Sequence, residues 1–233
     1  MIIALGPRLL YTDFMWKLKW VSCIIIVLFG LAGGSHALAQ EELPFWRSKP
    51  KLLKRISEQR KVVVSVDVEK ERRQRSIRML GVGVVNVPLY FAVEQIQRFE
   101  ELPKVSSYFQ KVRHDKAKKE VYFFIKALGK QVRFIQEYKW GPRTTELAQM
   151  DWRVKWGKIQ GRVGHYKLRK ISPQKTEVAI WVSMKKKDIP LPKFLLNFTL
   201  EVIAEKTAQK MRSFMESRYR NAKKMREDHV KKR

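Results

Sequence analysis

The order of patterned segments predicts an α+β fold: a curved antiparallel β-sheet wrapped around one long C-terminal α-helix, with two short helices after the first strand or strands. Three observations carry this. Apolar residues alternate at Val62, Val64, Val66 and Val68, and again in successive segments between 121 and 184, the period of half-buried strands. A helical period interrupts them between 89 and 99, and a much longer one follows Pro192. The later strands are consecutive and joined by short links, so they pair antiparallel, and only the last helix is long enough to cover their bare face.

Taken in order, Leu52, Leu53 and Ile56 suggest a helical turn or two in the basic stretch 41–60. The valine alternation begins the first strand, and the charged run 69–75 reads as a turn into a second, 76–87. Asn86 can cap a helix whose first turn accepts Pro88. Leu89, Ala92, Val93, Ile96 and Phe99 form its apolar stripe, which Leu102-Pro103 breaks before a second short helix or turn. Val121, Phe123 and Ile125 share one strand face; Phe134, Tyr138 and Trp140 share the next. Ala148, Met150, Trp152, Val154 and Trp156 line one side of a third strand, and Thr176, Val178, Ile180, Val182 and Met184 one side of the last. After Ile189-Pro190-Leu191-Pro192, a helix over about 193–220 carries Ala204 and Ala208 on its middle turns.

The N-terminus reads as an export signal. Trp16-Lys17-Leu18-Lys19-Trp20 is a short basic region, 21–32 is almost wholly apolar, and Ala37-Leu38-Ala39 gives a cleavage pattern with Gln40 as the first mature residue. The apolar run falls short of the roughly 20 residues of a membrane span, although an uncleaved anchor is the alternative reading. Residues 1–14 precede the basic region, which suggests translation from Met15. The expected organisation is a signal peptide over 1–39, a basic lead-in over 40–60, a domain over 61–220 and a basic tail over 221–233. Cys23 leaves with the signal, so the mature chain can form no disulfide and no thiolate metal site.

The formal charge is +28. Arg8, Lys17 and Lys19 against Asp13 leave with the signal, so the mature chain keeps about +26. After export, the polyanions in reach are anionic lipids and envelope polymers, which disfavours nucleic acid as a partner. Lys185, Lys186 and Lys187, with Arg218, Arg220, Lys223 and Lys224 in a tail expected to be a frayed, solvated helix end, are the anionic-surface candidates.

Signatures of catalysis are thin. Gly81-Val82-Gly83 lacks the third glycine of a dinucleotide loop, since Asn86 stands in its place. His114, among Arg113, Asp115 and Lys116, reads as solvated, and scattered histidines give no metal-ligand spacing. His165 and Asp151 are the weak catalytic candidates, with a structural histidine and ion pairing across the outer sheet face as the plainer readings. The same outer-face pairing is the reading for Glu137, Glu146 and Glu177. No cofactor and no metal is expected.

The aromatic set is more suggestive. Phe134, Tyr138, Trp140, Met150, Trp152, Trp156, Tyr166 and Trp181 on neighbouring strands can fill a core or wall a pocket. Ala204 and Ala208 would leave room opposite them, or pack close. Met184, Phe194, Phe198 and Met211 would form an adaptable mouth or floor.

Val85-Asn86-Val87-Pro88 leading into a helix, Phe99-Glu100-Glu101-Leu102-Pro103-Lys104-Val105 between the short helices, and Ile189-Pro190-Leu191-Pro192 before the long helix resemble the START-like (SRPBCC) superfamily. The branch they resemble is that of the polyketide cyclase/dehydrases and coenzyme-Q-binding proteins. In the middle motif Glu replaces an Asp and Leu an aromatic. The resemblance spans about 62–218 and implies the helix-grip fold with an apolar cavity between sheet and helix, but no particular reaction.

The expected function is therefore that of an exported, non-enzymatic protein, in the periplasm of a Gram-negative bacterium. It would hold a hydrophobic small molecule or lipid, such as a quinone, near an anionic membrane surface. A cyclase or hydratase using the same cavity and an envelope polyanion-binding module are the alternatives.

Overall fold

The computed structural model describes residues 46–71, 74–127, 130–187 and 193–231. The elements are α1 (Pro50–Ser57), β1 (Val63–Glu71), β2 (Gln74–Val85), α2 (Leu89–Ile96), a 3-10 turn (Phe99–Glu101), α3 (Leu102–Val105), β3 (Phe109–Asp115), β4 (Glu120–Ala127), β5 (Lys130–Arg143), β6 (Leu147–Gly157), β7 (Val163–Ser172), β8 (Lys175–Lys187) and α4 (Lys193–Lys231). The eight strands form one antiparallel sheet in the order β1-β2-β8-β7-β6-β5-β4-β3. Only β2 and β8 are neighbours without being consecutive. The chain leaves β2, second from one edge, crosses through α2 and α3, and re-enters at the opposite edge as β3.

The register sets the faces. Val62, Val64, Val66 and Val68 face inward with Ile77, Val182 and Met184, and form one apolar cluster with Leu200, Ala204 and Ala208 of α4. A second inward cluster joins α2 to β4, β5 and β6 through Phe91, Ile96, Val121, Phe123, Phe134 and Met150, and Met215 of α4 closes it. Trp152 touches both clusters. The free edge of β1 is covered by α4, where Glu201 accepts the Val66 N–H at 3.0 Å.

Three elements depart from expectation. Pro88, not Asn86, is the residue before α2, and it caps without a side-chain bond. Asn86 instead donates its backbone N–H to Glu216 of α4 at 2.9 Å. The same buried carboxylate takes Arg60 at 2.5 and 2.6 Å, pinning the left-handed Arg60 (φ 53°) at the entry to β1. Second, the helical turn or two expected at Leu52, Leu53 and Ile56 is α1, and it packs on the sheet. Pro50 suits its first turn, and Ile56 with the fully buried Trp46 covers the outer face of β2 and β8, so the sheet has a small second layer. Third, α4 runs unbroken for 39 residues, about 58 Å, so the basic stretch up to Lys231 is helix and not a frayed tail. The signal segment and the 189–192 join lie outside the described residues.

Candidate functional site

The inner face of the sheet is apolar except for a row of polar handles. Cross-strand register places Tyr138 opposite Trp152 and Trp140 opposite Met150, then Met150 opposite Tyr166 and Tyr166 opposite Ile180. All therefore face the side that α4 covers. Phe134, Tyr138, Met150 and Met184 are buried, and Met211 of α4 packs on the same core. Trp140, Trp152 and Tyr166 are only half-buried, although they face inward. The Nε1 atoms of Trp140 and Trp152 are nonetheless buried and meet no acceptor. The Tyr166 hydroxyl is so enclosed that burial pushes its pKa up to about 12.

Trp152 can lie flat because Gly164 stands opposite it. A Cβ at Gly164 would fall 2.1 Å from Cζ2 and 2.2 Å from Cε2 of that indole. Farther along the same face, His114 of β3 meets the Tyr138 hydroxyl through Nε2 at 2.7 Å and stands edge-on to Phe99 at 5.1 Å. Burial holds its pKa below the usual histidine value. His114 is thus a partly buried residue on the inner face of the sheet, contrary to the solvated reading. Its charged neighbours Arg113 and Asp115 face the other way, and the alternation with Val112 was the signal for it.

A groove of about 800 Å³ opens at the end of β6, bounded by α2, the β5–β6 and β7–β8 turns and Tyr219 of α4. Ala148, buried on the inner face of β6, forms part of its floor and leads to Met150 and Trp152. The Tyr219 hydroxyl donates to Gln174 Oε1 at 2.8 Å, tying α4 to the β7–β8 turn across this opening.

Several predicted residues lie elsewhere. Trp156 is 52% exposed: Val154 pairs with Gln136 but Trp156 pairs with Ile135, so one extra residue in β6 flips it outward. Trp181 is opposite His165 on the outer face and packs on Trp46 at 5.9 Å. Phe194 and Phe198, 71% and 65% exposed on the first turns of α4, point away from the core. Ala204 and Ala208 pack, partly buried, against the β1, β2 and β8 cluster that Trp152 also touches.

His165 and Asp151 form an outer-face pair, Nδ1 to Oδ1 at 2.6 Å, with His165 against Trp181 at 5.3 Å. Neither reaches the interior. The other predicted carboxylates are paired as well: Glu137 by Arg153 across strands, Glu146 of the β5–β6 turn by Lys170 at 2.6 Å, and Glu177 by Arg169 of β7 and by Arg47 ahead of α1 at 3.4 Å each. Among the described residues no three His, Cys, Asp or Glu side chains gather as metal ligands.

The basic candidates form no single patch. Exposed Lys185 lies at the β8 end, by the start of α4, and the side chains of Lys186 and Lys187 lie outside the described ones. Arg220, Lys223 and Lys224 lie about 40 Å away along α4, since Lys193 and Arg220 are 27 positions apart. Arg218 is occupied by Glu101 at 3.1 Å.

No family model and no curated protein matches the chain. Solved structures do. A START superfamily protein from Mycobacterium smegmatis superposes with a TM-score of 0.50 at 12% identity, over 60% of this chain and 97% of that one. The Zhui aromatase/cyclase from Streptomyces sp. R1128 gives 0.48 at 12% identity, over 64% and 98%. Human STARD10 gives 0.47 at 13% identity, over 83% and 88%. The chain therefore has the START-like helix-grip fold that its motifs resemble.

Proposed function

We infer that this protein binds an apolar or amphipathic molecule within its helix grip, with the groove at the end of β6 as the way in. One observation carries this: Trp140, Trp152 and Tyr166 face inward yet keep accessible surface, and both indole N–H groups are buried without acceptors. A close-packed interior leaves neither free surface nor unpaired donors. A ligand filling that space gains about 25 cal/mol per Å² of apolar area removed from water. The indole and phenol groups would then set its orientation.

The signal-like N-terminus and the charge of +28 support action outside the cytoplasm, in a Gram-negative periplasm beside anionic membrane surfaces. Native mass spectrometry of the protein purified from its own envelope tests both parts. A co-purifying lipid or quinone that also raises the melting temperature is expected, on a chain beginning at Gln40. No bound molecule, and no shift with any envelope lipid extract, overturns the carrier reading. A chain that still carries residues 1–39 overturns cleavage.

A further inference from the structure

The largely apolar inner face of the sheet ends in two cations at the groove. Arg143 arrives there through a bulge: Trp140 pairs with Met150 and Arg143 with Ala148, so the Gly141-Pro142 step inserts one extra residue into β5. That residue turns Arg143 onto the same face as Ala148. Its guanidinium carbon then lies 3.9 Å from the centre of the Trp140 ring. Lys170 holds the equivalent rim position on β7, two residues beyond the inward Leu168. Both cations line the groove, and no carboxylate does. Lys170 is already paired with Glu146 at 2.6 Å. Arg143 pairs with no carboxylate among the described residues, so its donors are open to a ligand.

We propose that the groove is a headgroup site for an amphipathic anion, with Arg143 holding a carboxylate or phosphate while the apolar chain runs inward over Ala148 toward Met150 and Trp152. A guanidinium stacked on an indole keeps its N–H fork in one plane, which suits bidentate capture of an oxyanion. Lys170 adds positive potential, but its ammonium is shared with Glu146 and so contributes less. This inference rests on the carrier reading above and adds to it the charge of the ligand's head.

The test uses the full chain with Nile red, a neutral dye that reports the interior whatever the headgroup. Hexadecanoate, hexadecyl phosphate and hexadecanol then compete for it. The native chain should prefer either anion to the alcohol by about tenfold, the worth of one charge-assisted hydrogen bond. The stronger of the two anions names the headgroup. Acetate and inorganic phosphate, lacking a chain, should displace no dye. Arg143→Gln should bring the ratio of anion to alcohol displacement close to one, and Arg143→Lys, which keeps charge without the fork, should fall between. Equal displacement by anion and alcohol, or an unchanged preference in Arg143→Gln, overturns the headgroup site and leaves the carrier reading standing. Failure of the native chain to bind Nile red and every amphiphile overturns the carrier reading, and this inference with it.

Discussion

Gly164→Ala reads the interior most directly. The added Cβ would meet three atoms of the Trp152 indole at 2.1, 2.2 and 2.7 Å. Ordinary carbon–carbon contact is about 3.5–4.0 Å, so the ring must retreat by about 1.5 Å. That retreat gives up part of its contact with the two apolar clusters of the sheet, against which Trp152 is packed. Overpacking of this kind costs about 1–3 kcal/mol, and at about 2–4 °C per kcal/mol the melting temperature should fall by roughly 2–12 °C. The Gly164 backbone is not left-handed, so alanine by itself should stabilise by about 0.4–1 kcal/mol through the unfolded chain. The sign of the substitution should therefore reverse once the indole is gone. Urea denaturation followed by circular dichroism on native, Gly164→Ala, Trp152→Leu and the double variant closes the cycle. Gly164→Ala should be destabilising alone and neutral or stabilising beside Trp152→Leu. An equal cost in both backgrounds would refute the placement of the indole over β7.

Two further outcomes follow from the structure. Trp46→Ala should cost about 3–5 kcal/mol, the range for a fully buried aromatic, because Trp46 is 0% exposed against the outer sheet face; a melt within one degree of native would show that α1 is only an appendage. His114 is held neutral by burial, its pKa lowered below that of the unfolded chain, so the unfolded state takes up its proton first as pH falls. Stability should be fully present above about pH 6.5 and decline below it until His114 itself protonates. His114→Gln should flatten that part of the melting-temperature profile, and an unchanged profile would place His114 in solvent.

Much of the architecture is legible in the residues themselves, because a period of two or of 3.6 is a local property. The valine alternation of β1, the aromatic alternation of β5 and the proline-flagged entries to α2 and α4 predict the element order, and that order leaves α4 as the cover of the sheet. Which face a residue takes is another matter, since it depends on pairing partners far away in the chain. One extra residue in β6 sends Trp156 outward, and one in β5 turns Arg143 inward. Trp181 and His165 share the outer row although their strands look alike from either side. His114 is partly buried on the inner face because β3 lies against β4, with Phe99 folded over it; its sequence neighbours are charged and misleading. The N-terminal layer likewise exists only through tertiary contacts, of Trp46 and Ile56 with Val82 and Val84 of β2 and Ala179 of β8. The sequence by itself determined the fold class, the charge and the supply of aromatic side chains. Tertiary pairing decided which of them meet inside the grip, because a bulge of one residue reverses every side chain beyond it.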